Sequence, residues 1–278
     1  MTIYVVIAVH NRWDFTKQFL ESLDAQQLPP GEDCFTVVVD DGSTDETATK
    51  VVQRSETSVL TGDGSLWWAG GVERALLWIR NRLEPGDFVY LGNNDTVLDS
   101  QHLAELVRVA REQDCAIVGS VSYEIWPTGE RHPVTGGFRV DPDRLAVENI
   151  RPEELGTVSI DAVAGRGVLL TARAARAIRF RPRTMPQHFA DLAATAELID
   201  AGFRACIAQS AVSTQLERAG SSVEFKPRLS QLLDRKSPLF IPALTSFWMQ
   251  RSRSRIRLLW RMPARAIRQA SQGNYRVN

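Results

Sequence analysis

The sequence predicts an α/β protein: a mixed, mostly parallel sheet with helices on both faces. Two observations carry this. In the first half, short apolar runs rich in β-branched residues alternate with stretches of helical periodicity, and a βαβα order implies a mostly parallel sheet. Two of those runs, residues 37–39 and 88–91, stop abruptly at clusters of oxygen-bearing side chains. Strands that deliver ligands to the carboxyl edge of such a sheet end this way. With 278 residues, 44% of them hydrophobic, the chain can bury one large core or one domain with an appendage.

The elements follow in order. Residues 4–9 form an apolar run short enough for a buried strand. Residues 14–25 are helical, with Phe15, Phe19, Leu20 and Leu23 on one face. Residues 35–39 are a second buried strand. Ser43 or Thr44 can cap a helix over 45–53, with acids in its first turn where they suit the dipole. A short strand ends near Leu60, a helix covers 70–82, and a strand 88–91. A helix over 101–112 and a strand over 116–121 complete this half.

The second half is less regular. Residues 120–140 read as short strands and turns, and 141–154 as a polar loop. Residues 159–170 suggest two short strands around Gly165-Arg166-Gly167. A helix over 189–201 is ended by Gly202, and 203–213 return to the sheet. From Pro227 the pattern is helical, interrupted by Pro238, Pro242 and Pro263. The expected organisation is a domain over 1–225, with a nucleotide-binding half (1–115) and an acceptor-binding half (116–225). A basic helical extension over 226–278 follows.

Composition narrows the function. Three scattered cysteines, Cys34, Cys115 and Cys206, fit a reduced, structural role in the cytoplasm. The chain enters a strand-like run at once, without the pattern of a signal peptide, and no apolar stretch is long enough to span a membrane. The net charge of zero conceals an asymmetry: the ten basic residues after Asp234 face no acid there, leaving 23 basic against 33 acidic residues in 1–234. Residues 251–268 interleave seven arginines with Ile256, Leu258, Leu259, Trp260, Met262 and Ile267. That suits an anionic membrane surface, and so a lipid-linked partner at the inner face of the membrane. Folding against the acidic body and an oligomer interface are the rival readings. No nucleic-acid recognition module is visible, so nucleic acid is not an expected partner.

Four segments carry the chemistry. Asp40-Asp41-Gly42-Ser43-Thr44-Asp45 follows a buried strand, where a carboxylate can accept from a base N–H or a ribose hydroxyl. Gly92-Asn93-Asn94-Asp95 offers hard oxygen ligands suited to Mg²⁺ or Mn²⁺. Either segment also reads as an ordinary polar turn. The loop 62–71 sets Trp67 and Trp68 among glycines that permit close approach to a ligand, although at least one Trp is expected to pack into the core. Asp191 opens a helix, where the dipole favours the ionised carboxylate. Arg166, between two glycines, reads equally as a turn residue or as an anion contact.

Taken with the opening strand and turn (Val6-Ile7-Ala8-Val9-His10-Asn11-Arg12) and Phe189-Ala190-Asp191, these segments resemble the inverting family 2 glycosyltransferases of GT-A, Rossmann-like fold. The likeness covers about residues 3–215 and is nearest the rhamnosyltransferase-like branch, which often has Leu-Asn-Asn-Asp in place of Asp-X-Asp. The resemblance implies a glycosyltransferase using a UDP- or dTDP-linked sugar as donor and a glycan or lipid-linked hydroxyl as acceptor. It puts Ala8 and Val9, through their backbone, and Asn11, Asp40, Asp41, Asn93 and Asn94 on the nucleotide. Asp95 falls on a Mg or Mn ion, and Trp67, Trp68, Gly70, Arg166 and His188 on the donor and acceptor sugars. Asp191 becomes the general base.

Three departures stand out. Glu73 replaces a frequent Asn, Glu197 replaces a frequent Arg, and residues 212–215 lack the late His that many relatives add to the metal. Two other functions stay open: a non-catalytic binding relative, and a sugar nucleotidyltransferase. The latter lacks its glycine-rich basic loop, since His10-Asn11-Arg12-Trp13 follows the first strand.

Overall fold

The computed structural model describes residues 1–126, 128–216 and 229–251. Most of the arginine-rich tail, including Pro263, lies outside the described residues.

The first half alternates as expected: β1 (Thr2–Val9), α1 (Trp13–Asp24), β2 (Asp33–Asp40), α2 (Thr47–Val51), β3 (Thr57–Thr61), α3 (Trp67–Ile79), β4 (Phe88–Leu91), β5 (Thr96–Leu98) and α4 (His102–Glu112). The second half supplies β6 (Ile117–Ile125), β7 (Arg131–Thr135), β8 (Gly137–Asp141), β9 (Ala146–Asn149), β10 (Ala162–Val163), β11 (Val168–Thr171), α5 (Ala172–Ala177), α6 (Ala190–Asp200), β12 (Ala205–Gln215) and α7 (Ile241–Arg251). The main sheet runs β3-β2-β1-β4-β11-β6-β12-β5, with β7 added to β6, and a small sheet runs β10-β8-β9. Strands β3, β2, β1 and β4 are parallel to one another, and β12 is parallel to β6. β11 runs antiparallel between β4 and β6.

Side-chain alternation along β1 builds the two layers. Ile3, Val5, Ile7 and Val9 are buried with Phe19, Leu20 and Leu23 of α1 and Leu103 and Leu106 of α4. Val6 points the other way, joining Val72, Leu76 and Ile79 of α3 and the alanine-rich α5 and α6. Phe15 is half-buried under the Arg12 guanidinium, 4.5 Å from its ring centre.

Several local expectations change. The helix expected over 45–53 shrinks to Thr47–Val51, and neither Ser43 nor Thr44 caps it. Asn11 captures that loop instead: its N–H donates to Ser43 Oγ (2.7 Å), and its Oδ1 accepts from Thr44 N (2.8 Å) and Asp45 N (3.3 Å). The helix expected from Gly70 begins at Trp67. The polar stretch 141–154 contains β9, which pairs with β8. β5 forms against β12, a partner more than a hundred residues away, so no local pattern announces it. The C-terminal helix α7 takes Pro242 into its first turn, a position where proline's missing N–H costs nothing. Gly202 (φ +88°) closes α6 as expected, with Phe203 N bonding Leu198 O at 3.0 Å.

The cysteines are free. Burial raises the Cys206 thiol and pushes Cys34 up to about 12, so both stay protonated and unreactive.

Candidate active site

The parallel strands β2, β1 and β4 bring their carboxyl ends to one edge. Asp40 ends β2, and its Oδ1 accepts from Ser43 N at 3.0 Å. Asp41, 5% exposed, folds the Trp loop around itself: Oδ1 accepts from Gly64 N (2.8 Å) and Oδ2 from Trp67 N (2.9 Å). Only glycine fits at position 62, since a Cβ there would stand 2.4 Å from Asp41 Oδ1 and 2.9 Å from its Cα. The amide of Asp41 in turn donates to Val9 O at 2.8 Å, and its carbonyl meets His10 Nδ1 at 2.6 Å.

Asn93 follows β4, and its Oδ1 accepts from the Trp68 indole Nε1 at 3.0 Å. Asp95 is partly exposed, with Arg12 Nη1 at 4.0 Å from its Oδ2. Its carbonyl accepts from Leu216 N at 2.8 Å, which fastens the end of β12 beside it.

Asp191 stands in the first turn of α6. Its Oδ2 accepts from Gly165 N (2.8 Å) and its Oδ1 from Leu192 N (2.9 Å). Trp68 packs against Gly165: a Cβ at that glycine would come within 2.4 Å of the indole Cη2 and 3.0 Å of the Asp191 Cβ. One indole therefore touches the strand end carrying Asn93 and the turn holding Asp191. Phe180 packs edge-on against Trp68 at 5.5 Å between ring centres. The residues of the unexpected Glu departures hold this segment. Glu73 accepts from Phe180 N at 3.0 Å and pairs with Arg80 at 3.1 Å, and Glu197 pairs with Arg181.

A covering segment crosses the loop. Lys236 Nζ lies 5.7 Å from the Trp67 ring centre, and His188 Nε2 donates to Lys236 O at 2.9 Å. Arg166 reaches Glu124 Oε1 at 3.5 Å. Beside Trp67, the Ser65 hydroxyl and amide hold the exposed Asp63 carboxyl below its usual range.

The structure thus brings Asn11, Asp40, Asp41, Trp67, Trp68, Asn93, Asp95, Arg166, His188 and Asp191 to one edge. Two others, Asn94 and Gly70, are turned away. Asn94, 9% exposed, donates from Nδ2 to Thr16 Oγ1 of α1 at 2.9 Å. Gly70 is buried within α3 against Leu66. Val9 sends its side chain into the core, while its backbone, the part expected on the nucleotide, stays at the end of β1. Ala8 is half-buried beneath Gly71, whose Cβ would stand 2.7 Å from the Ala8 Cβ. Sequence reading missed the amide of Gly165 and the side chain of Phe180. The paired glycines around Arg166 were the only local signal for the first.

Backbone strain gathers here. Asn11, Arg12, Trp67 and Phe189 all have positive φ, between 58° and 67°. Arg12, Trp67 and Phe189 stand at the entrances to α1, α3 and α6. Such residues cost roughly 1–3 kcal/mol each and collect at functional sites.

The chemistry of the donor set can be weighed for a divalent cation. Among the described residues no three His, Cys, Asp or Glu side chains cluster to cage a metal. The accessible carboxylate of Asp95 fits the mode in which Mg²⁺ or Mn²⁺ binds through one or two carboxylates and substrate phosphates.

The fold has known counterparts. A mannosyltransferase, PcManGT, from Pyrobaculum calidifontis, solved with GDP-Man and Mn2+, superposes with a TM-score of 0.58 at 18% identity, over 98% of this chain and 76% of the other. GalNAc-T7, solved with UDP, GalNAc and Mn2+, gives a TM-score of 0.63 at 13% identity, over 88% of this chain and 47% of the other. This chain therefore spans about half the length of that second protein. No curated protein matches by sequence. The superpositions establish the GT-A, Rossmann-like fold. Residues 4–172, more than half the chain, match the family described as Glycosyl transferase family 2, and the chain belongs to that family of glycosyltransferases.

Proposed function

We propose that the protein is an inverting transferase of the rhamnosyltransferase-like branch, moving a sugar from a UDP- or dTDP-linked donor to a hydroxyl on a glycan or lipid-linked acceptor. One observation carries the reading: the Trp68 indole bonds Asn93 on the donor side and packs on Gly165, whose amide holds Asp191. The strand end suited to a diphosphate and the carboxylate suited to a proton are thereby kept at a set separation.

In this reading Asp40 and Asp41 anchor the nucleoside end of the donor, Asp41 through the loop it organises. Asn93 and Asp95 face the ribose and diphosphate. A divalent cation bound at Asp95 would neutralise charge on the departing diphosphate. Asp191 takes the proton from the acceptor hydroxyl as that oxygen attacks the anomeric carbon, and the two amides on its carboxylate keep it oriented. Both structural counterparts were solved with Mn2+ and nucleotide or nucleotide sugar, which supports this donor chemistry. Among the described residues no helix is long and apolar enough to cross a membrane. Contact with a lipid-linked acceptor at the inner membrane face would fall to the basic C-terminal segment.

Asp191→Asn tests the assignment. It is expected to bind nucleoside diphosphate as the wild type does, while transfer and slow donor hydrolysis fall by roughly 10²–10⁴-fold. Near wild-type turnover would remove Asp191 from the base role.

A further inference from the structure

We propose that the β6–β7 hairpin carries a platform for an extended glycan acceptor, centred on Trp126 and His132. The proposal builds on the transferase reading above, and adds that the acceptor is an oligosaccharide chain, not a single sugar.

The topology places the platform. Leu91 of β4, Val168 of β11 and Gly119 of β6 stand side by side in register. β4 then ends and gives way to Asn93 and Asp95, whereas β6 continues to Ile125 with β7 taking over the pairing from Val121 onward. The hairpin therefore projects beyond the Gly165–Gly167 turn, from the same edge as the site. Trp126 lies seven residues past Gly119, a rise of roughly 23 Å in extended chain.

At its tip Trp126 is 45% exposed, the one aromatic among the exposed large hydrophobic residues described. Its backbone closes the turn, with Trp126 N bonding Glu130 O at 2.9 Å and Gly129 N bonding Trp126 O at 2.8 Å. The indole is backed by the His132 ring, 4.2 Å between centres and tilted by 37°. His132 pairs in register with Glu124, and Glu124 meets Arg166 at 3.5 Å. Arg166 follows Gly165, the amide that holds Asp191. From the candidate base outward, a run of neighbouring residues thus leads through Arg166, Glu124 and His132 to Trp126.

This order matches a sugar chain. A pyranose offers an apolar C–H face to a rigid indole and a rim of hydroxyls to charged, planar groups. Trp provides that apolar face with little conformational entropy to lose, and Arg and Glu provide the rim contacts. The hairpin's rise of roughly 23 Å from Gly119 to its tip is the length of several sugar rings, so a monosaccharide reaching the base would leave the indole untouched.

Saturation-transfer NMR on the full chain tests this with linear hexasaccharides (malto-, cello- and chitohexaose) and the matching methyl monosaccharides. The wild type is expected to transfer saturation to hexasaccharide ring protons and not to the monosaccharides. Trp126→Ala should weaken that binding about fivefold or more, Trp126→Phe should keep it, and neither should alter nucleoside diphosphate affinity. Absence of hexasaccharide signal from the wild type, or equal binding by Trp126→Ala, overturns the platform. If donor hydrolysis is absent while Trp126-dependent glycan binding persists, the transferase reading falls and the platform stands.

Discussion

The indole Nε1 of Trp68 donates a 3.0 Å hydrogen bond to Oδ1 of Asn93, a residue 25 positions later in the chain. The same ring rests on Gly165, so the Trp loop is the mechanical link between two strand ends that share no direct contact in sequence. A Trp in a glycine-rich loop can be read as a ligand contact or as core. Here it is a half-buried wall that joins both sides of the site.

Gly165→Ala tests that link directly. The new methyl would stand 2.4 Å from the indole and must displace it, because Asp191 Cβ, 3.0 Å away, closes the other side. The expected result is a stability loss of about 1–3 kcal/mol by chemical denaturation and a fall in kcat of roughly 10²-fold from misplaced groups. Asn93→Ala leaves the Trp68–Gly165 contact in place and removes only the acceptor of the indole N–H, so its stability loss should be nearer about 1 kcal/mol. Equal behaviour of the two variants would show that the Asn93 bond, not ring packing, sets the geometry.

Asp41→Asn separates a nucleotide contact from a loop anchor. The buried carboxylate accepts two backbone amides, and an asparagine would turn its own NH2 against one of them. A destabilisation of about 1–3 kcal/mol is expected from the lost acceptor, together with weaker nucleotide binding. Unchanged thermal stability with weakened binding would instead mark Asp41 as a direct contact only.

Asp95→Ala addresses the cation. Wild-type affinity for a nucleoside diphosphate should rise with Mn²⁺, and the variant should lose most of that gain. Isothermal titration with and without Mn²⁺ measures it. An equal Mn²⁺ effect in both proteins would move the metal elsewhere.

A buried histidine gives a pH dependence unrelated to catalysis. His102 donates from Nδ1 to Val212 O (2.7 Å), and its Nε2 accepts from the Tyr90 hydroxyl (3.2 Å). Burial lowers its pKa from 6.5 to about 4. Between those values the unfolded chain binds the proton and the folded chain does not, so stability falls as pH drops from about 6.5 to about 4, by up to roughly 3 kcal/mol. Thermal unfolding across that range should show the slope. His102→Phe should flatten it, whatever its absolute stability.

Much of this protein was legible in the chain itself. The β-branched runs at 4–9, 35–39 and 88–91 and the helical spacing of Phe19, Leu20 and Leu23 depend on local periodicity, and both layers of the core follow from it. The oxygen-rich strand ends at Asp40 and Asn93, the helix-opening Asp191 and the Gly202 stop were readable because each is a short-range signal. The family likeness rested on the order of those signals.

What the tertiary structure alone decided is how they are joined. Asn11 draws the 43–45 loop away from capping a helix, because its side chain competes for the same amides. Asn94 turns into α1 while its neighbours Asn93 and Asp95 face the site, a choice made by Thr16 seventy-eight residues earlier. Glu73 and Glu197 serve as fasteners for the 179–181 segment. β5, the Gly165 amide on Asp191 and the projection of Trp126 all depend on partners distant in sequence. Periodicity and turn chemistry act over a few residues and so are written locally; pairing register and side-chain capture between remote segments exist only once the chain has folded.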